Sequence, residues 1–128
     1  MANIHVLKNT HNECVLKIYS TSAGGQTISA NLDSSYIMLD NEQFVGDETE
    51  VTIREIFWGA KKDKQIDITR VVDHGANTVH GHYYLLNSGS YNFDGFVDNS
   101  YANSDIRIVS DGPFHMIIKL GKSMYRQS

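Results

Sequence analysis

His80 and His82 stand two residues apart in a stretch with the composition of a strand. Alternation along a strand puts such side chains on one face, where two imidazoles can reach one metal ion. His74, in the turn just before them, is the candidate third ligand. No carboxylate or thiol stands beside His80 and His82 in sequence, and an alternating polar face explains the pair without a metal. The expectation is therefore a chain with no bound metal and no cofactor. Asn92-Phe93-Asp94-Gly95 looks like the middle of a calcium loop. Setting Gly95 at its sixth position, however, puts Ser90 first and Tyr101 twelfth, so the leading Asp and the closing bidentate Glu are missing. Asp94, Asp98, Asn99, Asn103 and Asp105 are more simply turn residues.

Nucleophilic chemistry has no better support. Cys14 is the single cysteine and lies in an apolar run, where it serves as a small buried hydrophobe. No Gly-x-Ser-x-Gly elbow surrounds Ser29 or Ser88, and neither a P-loop nor a dinucleotide-binding glycine pattern occurs. The chain reads as a non-enzyme.

The aromatic residues are the stronger candidates for function, because rings on a β domain serve either as core or as a platform for sugars and partner proteins. Trp58, Tyr83, Tyr91 and Tyr101 are the candidate binding or interface residues. Tyr83 and Tyr84 are adjacent, so in a strand they face opposite sides and one of them joins the core.

Charge narrows the partners. The net charge is −4, yet Asp33, Asp40, Glu42, Asp47, Glu48 and Glu50 fall in a segment, 33–50, that holds no Lys or Arg. Such a patch repels phosphates. Lys61, Lys62 and Lys64 form a short basic run broken by Asp63, with no second basic cluster to complete a nucleic-acid groove. Apolar residues nowhere run far enough to span a bilayer, and Met1 to Lys8 lacks the apolar centre of a signal peptide. Synthesis in a cytoplasm, with neither nucleic acid nor membrane as partner, is the expectation.

The elements that must position these residues are short and joined by turns. One proline, ten glycines and frequent Asn, Asp and Ser punctuate the chain, and no helical stripe interrupts them. Strands are expected from Ile4 to Val6, Cys14 to Tyr19, Thr27 to Asn31, Val51 to Trp58, Gln65 to Val72, Thr78 to Leu86, Ile106 to Ser110 and Phe114 to Leu120, with an irregular one from Tyr91 to Val97. Ser88 to Ser90 reads as a turn, and Asp111-Gly112-Pro113 reads as the turn of a closing hairpin. The pattern predicts one all-β domain over 1–128, an antiparallel β-sandwich or jelly roll of eight to nine strands. Residues 1–12 and 121–128 are candidate extended arms.

The segment Ser104-Asp105-Ile106-Arg107-Ile108-Val109-Ser110-Asp111-Gly112, followed by Phe114-His115-Met116-Ile117-Ile118-Lys119-Leu120 and preceded by Val51 to Trp58, resembles small β-rich virion structural proteins of tailed bacteriophages, including capsid decoration proteins. The resemblance covers about residues 50–122. It implies a protein that coats or cements a capsid, or joins head, neck or tail. Its partners would be the major capsid protein or another virion protein, together with further copies of itself in a homo-oligomer, and its location the virion. Such work needs self-complementary surface and no catalytic residue. Two alternatives stand beside it: a carbohydrate- or receptor-binding module built on the rings and the loops from Tyr91 to Asp105, and a metal-dependent jelly-roll enzyme built on His74, His80 and His82.

Overall fold

A computed structural model describes residues 2–24, 26–45, 48–71, 79–93, 101–123 and 125–127. Among these the chain is all β and every strand pairing is antiparallel. The strands are β1 (Ala2–Asn9), β2 (Glu13–Ser20), β3 (Gln26–Ala30), β4 (Glu42–Gln43), β5 (Glu50–Ala60), β6 (Gln65–Val71), β7 (Val79–Leu86), β8 (Ser88–Asn92), β9 (Asp105–Ser110), β10 (Phe114–Ser123) and β11 (Arg126–Gln127). One sheet has the order β1-β2-β10-β5-β8 and the other β3-β9-β6-β7, while the two-residue strands β4 and β11 pair apart from both.

Period-two alternation is what stacks the two sheets. On β10, Phe114, Met116, Ile118 and Leu120 are buried and His115 and Ile117 are exposed; on β2, Cys14, Leu16 and Ile18 are buried between less buried neighbours. These residues meet Ile28, Ile66, Ile68, Leu85, Ile106 and Ile108 of the other sheet in one apolar cluster. A face of aliphatic side chains from each sheet, closed on the other, is the β-sandwich that the alternation predicts.

Connections between strands are where the sequence misleads. The expected hairpin between 106–110 and 114–120 does not form: β9 pairs with β3 and β6, whereas β10 pairs with β2 and β5. Asp111-Gly112-Pro113 instead carries the chain from one sheet to the other. Its polar groups are met by the neighbouring 61–65 segment, with Asp111 N donating to the Gln65 carbonyl at 3.1 Å and Lys61 N donating to the Pro113 carbonyl at 3.3 Å. A three-residue link suits a hairpin and a sheet-crossing arch equally, and both place aliphatic side chains on the core, so alternation cannot choose between them.

The same happens after β7. Ser88 to Ser90 is the start of strand β8, and the turn is the single residue Asn87, at φ 57°. Asparagine tolerates that left-handed conformation, and its carbonyl accepts from Ala60 N at 2.6 Å. The chain thereby passes from the outer edge of the four-stranded sheet to the outer edge of the five-stranded one.

The described residues of both candidate arms are parts of the domain. Residues 2–9 form β1, paired along its length with β2, and at the other end β10 continues to Ser123 while Arg126 and Gln127 pair with β4. Lys122 and Tyr125 are buried. No helix among the described residues is long and apolar enough to cross a membrane.

Candidate functional site

Three of the four rings singled out by the sequence come together. β7 and β8, edge strands of different sheets, lie side by side, and β5 runs next to β8. Register places Trp58 opposite Gly89 and Ile56 opposite Tyr91. Trp58 and Tyr91 therefore point the same way, toward the mouth between the sheets, where Tyr83 arrives from β7. The Tyr91 ring lies 5.2 Å from Trp58, 6.0 Å from Tyr83 and 6.1 Å from Phe93, and Tyr83 and Phe93 are 5.6 Å apart, all at tilted angles. Such tilted contacts are the favoured geometry for aromatic rings.

The cluster is open on one side. Trp58, Tyr83 and Phe93 are half-buried against the core, and Tyr91 is 44% exposed. The Trp58 indole N–H donates to the Leu86 carbonyl at 3.1 Å, which fixes its plane. Gly89 completes the fit, since a Cβ there would come within 2.8 Å of the indole ring. Of the adjacent pair, Tyr84 is the outward member, 62% exposed, and Tyr83 packs inward. Tyr101 is placed toward the far end of β5, in the turn before β9, with its carbonyl held by Arg70 Nε at 3.0 Å.

At that far end lies a second constellation, built of charges. Lys122 Nζ donates to Glu42 Oε1 at 2.7 Å, Asn9 Oδ1 at 2.9 Å and the Thr10 carbonyl at 3.0 Å, so its three protons have three acceptors. Glu42 also accepts from Leu39 N at 2.7 Å and lies 2.6 Å from His11 Nδ1. The side chains of Glu42 and Lys122 are both 0% exposed. Burial pushes the Glu42 carboxyl up, but the hydrogen bonds from Lys122, Leu39 N and His11 outweigh it and hold the group below its ordinary value of 4.5. It stays ionised and fully bonded. Nearby, burial above all raises the Cys14 thiol to about 11 and also raises Tyr125, whose hydroxyl donates to the Leu32 carbonyl at 2.6 Å. Cys14 is thus a neutral thiol at neutral pH, suited to packing and not to attack.

Arg70 is another buried charge at this end, 1% exposed, and it donates to the carbonyls of Tyr101, Val51 and Ala102 at 3.0, 2.9 and 2.9 Å. Sequence reasoning missed the roles of all three charges. A signal existed for two: Lys122 continues the inward series Phe114, Met116, Ile118, Leu120, and Arg70 continues Ile66 and Ile68. Glu42 carried none, sitting in a loop of like charges.

Among the described residues no group of three or more His, Cys, Asp or Glu is placed to hold a metal ion. His74 lies outside the described residues, as do the side chains of His80 and His82. The β7 backbone is described, and its register with β6 passes from Tyr83 opposite Ile68 to Gly81 opposite Thr69, so His82 is the extra residue of a bulge. Simple alternation from His80 to His82 is broken there, which removes the premise that the two must share a face. Asp94, Asp98 and Asn99 also lie outside the described residues, while the Asp105 carboxylate accepts from Leu32 N at 2.9 Å.

No family model matches the chain, and neither a curated protein nor a solved structure matches it.

Proposed function

We propose that this chain is a non-catalytic assembly module, a structural component of a tailed-phage virion of the capsid decoration or cement kind, acting through surface contacts. The observation that carries the reading is the open aromatic cluster of Trp58, Tyr83, Tyr91 and Phe93, set across adjacent edges of the two sheets. Half-exposed Trp and Tyr held in one orientation supply contact area at little entropic cost, which is the composition of interface hot spots. The most buried charges are tied to protein partners, Lys122 to Glu42 and Arg70 to three carbonyls, and work as fasteners. The resemblance in residues 104–112, 114–120 and 51–58 supplies the virion context, with the major capsid protein or a neighbouring virion protein as partner and further copies of the chain alongside.

The test is binding to capsids of the phage that encodes the chain. The purified protein should co-sediment with them at a fixed ratio, and Tyr91→Ala should lower the affinity at least tenfold, about 1.4 kcal/mol, without changing the fold. A protein that is absent from particles and does not bind emptied capsids would overturn the reading.

A glycan platform is the second reading, favoured by the exposed Tyr91 ring braced on Trp58 at 5.2 Å. Retention on glycan columns, lost in Tyr91→Ala, would support it over the first.

A further inference from the structure

The strands give the molecule two chemically different ends. β5 runs from Glu50 to Ala60, β2 from Glu13 to Ser20 and β10 back from Phe114 to Ser123, and their register aligns the starts of β2 and β5 with the end of β10. The acidic segment gathers at this end: Asp33, Asp40 and Glu48 are exposed and Glu50 half-buried, with Glu42 already paired inside. Arg126 lines a small hollow there with Glu48, while Lys8 and Lys119 at this end are paired with Glu13. Tyr125, which lines that hollow too, has its hydroxyl raised chiefly by burial and to a lesser degree by neighbouring groups including Glu42 and Asp33.

Toward the opposite end, the outer face of the five-stranded sheet carries an open concavity of about 750 Å³. Its floor is basic and aromatic: His5 stacks on Tyr19 at 5.6 Å, and Lys17 Nζ lies 6.0 Å from the same ring. A second hollow of about 570 Å³ continues it past His115 and Phe114 to Lys61. No carboxylate is among the described residues lining either one. Along β5 the two ends are separated by about 30 Å at ~3.3 Å per residue. That is several times the ~8–10 Å over which salt screens charge, so the ends do not cancel.

We infer that the chain associates head to tail, the acidic end of one copy, at Asp40 and Glu48, docking into the His5–Lys17–His115 concavity of the next. The inference rests on the assembly reading and adds the partner and the polarity. Donor and acceptor are different patches, so each added copy leaves one of each unfilled, and the contact builds a ring or a filament in place of a two-fold dimer.

Two charge-reversed variants test it, both altered only at residues outside the core. Lys17→Glu with His115→Glu removes the acceptor and keeps the acidic end; Asp40→Lys with Glu48→Lys removes the donor and keeps the concavity. In sedimentation equilibrium the wild-type chain should form oligomers in low salt that weaken at least tenfold when salt rises from about 0.02 to about 0.5 M. Each variant alone should be monomeric, and an equimolar mixture should assemble again in alternating order, since the unaltered acidic end fits the unaltered concavity and the two reversed patches complement each other in turn. An oligomer indifferent to salt, or persisting in either variant alone, would overturn the polar contact while leaving the assembly reading in place. A wild-type chain monomeric throughout would also overturn the polar contact, and capsid co-sedimentation would then decide the assembly reading by itself.

Discussion

The two ends of β5 show opposite ways of handling groups that do not belong in an aliphatic core. At the Val51 end, charged side chains are taken fully inside and hydrogen-bonded there: the three protons of Lys122 go to Glu42, Asn9 and Thr10, and Arg70 donates to three carbonyls. At the Trp58 end, aromatic side chains are left half outside, with Tyr91 supported by other rings on one side only. A satisfied buried network has nothing left to offer a partner, whereas a propped-up ring gains contact area when a partner arrives. Stability should therefore be lost by changes to the buried charges of the first end, and capsid binding by changes to the rings of the second.

The largest effect is expected from Lys122→Ala, which strands the Glu42 carboxylate inside. Removing one member of a buried pair costs about 3–5 kcal/mol, measurable as a lower urea midpoint with an unchanged slope. Glu42→Leu combined with Lys122→Met should recover much of it, because no charge is then left without its counterpart. Equal loss in the double variant would show that the network does more than neutralise itself.

Acid provides a second test of that end. The folded Glu42 carboxyl titrates below its unfolded value of 4.5, so its contribution is present above pH 4.5 and is lost as pH falls through the lower folded value. In Lys122→Ala the carboxyl keeps its burial but loses its largest opposing partner, so its folded pKa rises and the variant should lose less stability than wild type on acidification. Parallel pH profiles for the two proteins would refute the pairing.

Strands and layer count were legible because aliphatic alternation in β2, β5, β6 and β10 is a direct record of which face meets the core. The connections at Asn87 and at 111–113 were not, since crossing between sheets and turning within one demand the same short, polar, Gly- or Asn-containing link. The aromatic site was half legible. Ring type selected Trp58, Tyr83 and Tyr91, but what joins them is the apposition of edge strands β7 and β8, a property of the stacking that no local pattern encodes. Tyr101 had the right composition and is placed toward the other end of β5. The charged end was hidden because Lys and Glu are ordinarily solvated, and only the continuation of the β10 alternation to position 122 argued otherwise.

At the aromatic end, Gly89→Ala should cost less than Lys122→Ala. The new methyl falls within 2.8 Å of the Trp58 indole, which must swing away from the Leu86 carbonyl. Overpacking of this kind costs about 1–3 kcal/mol. Trp58 is the single tryptophan, so its emission reports the movement directly. A spectrum identical to wild type would mean that the indole is not held by Gly89 at all.

The smallest effect on stability is expected from Tyr91→Ala, and it sharpens the comparison most. Tyr91 is 44% exposed and sits on an edge strand, so its loss forfeits tilted ring contacts at the low end of the range for such pairs, about 0.5 kcal/mol each, and opens no cavity in the core. If the cluster is a contact surface, the same substitution must cost more in binding than in folding, because the partner would have buried the part of the ring that folding leaves in water. Urea melts and capsid co-sedimentation on one preparation give the two quantities side by side. A binding loss no larger than the folding loss would make the four rings an untidy margin of the core, and would move the search for the contact to the concavity on the outer face of the five-stranded sheet.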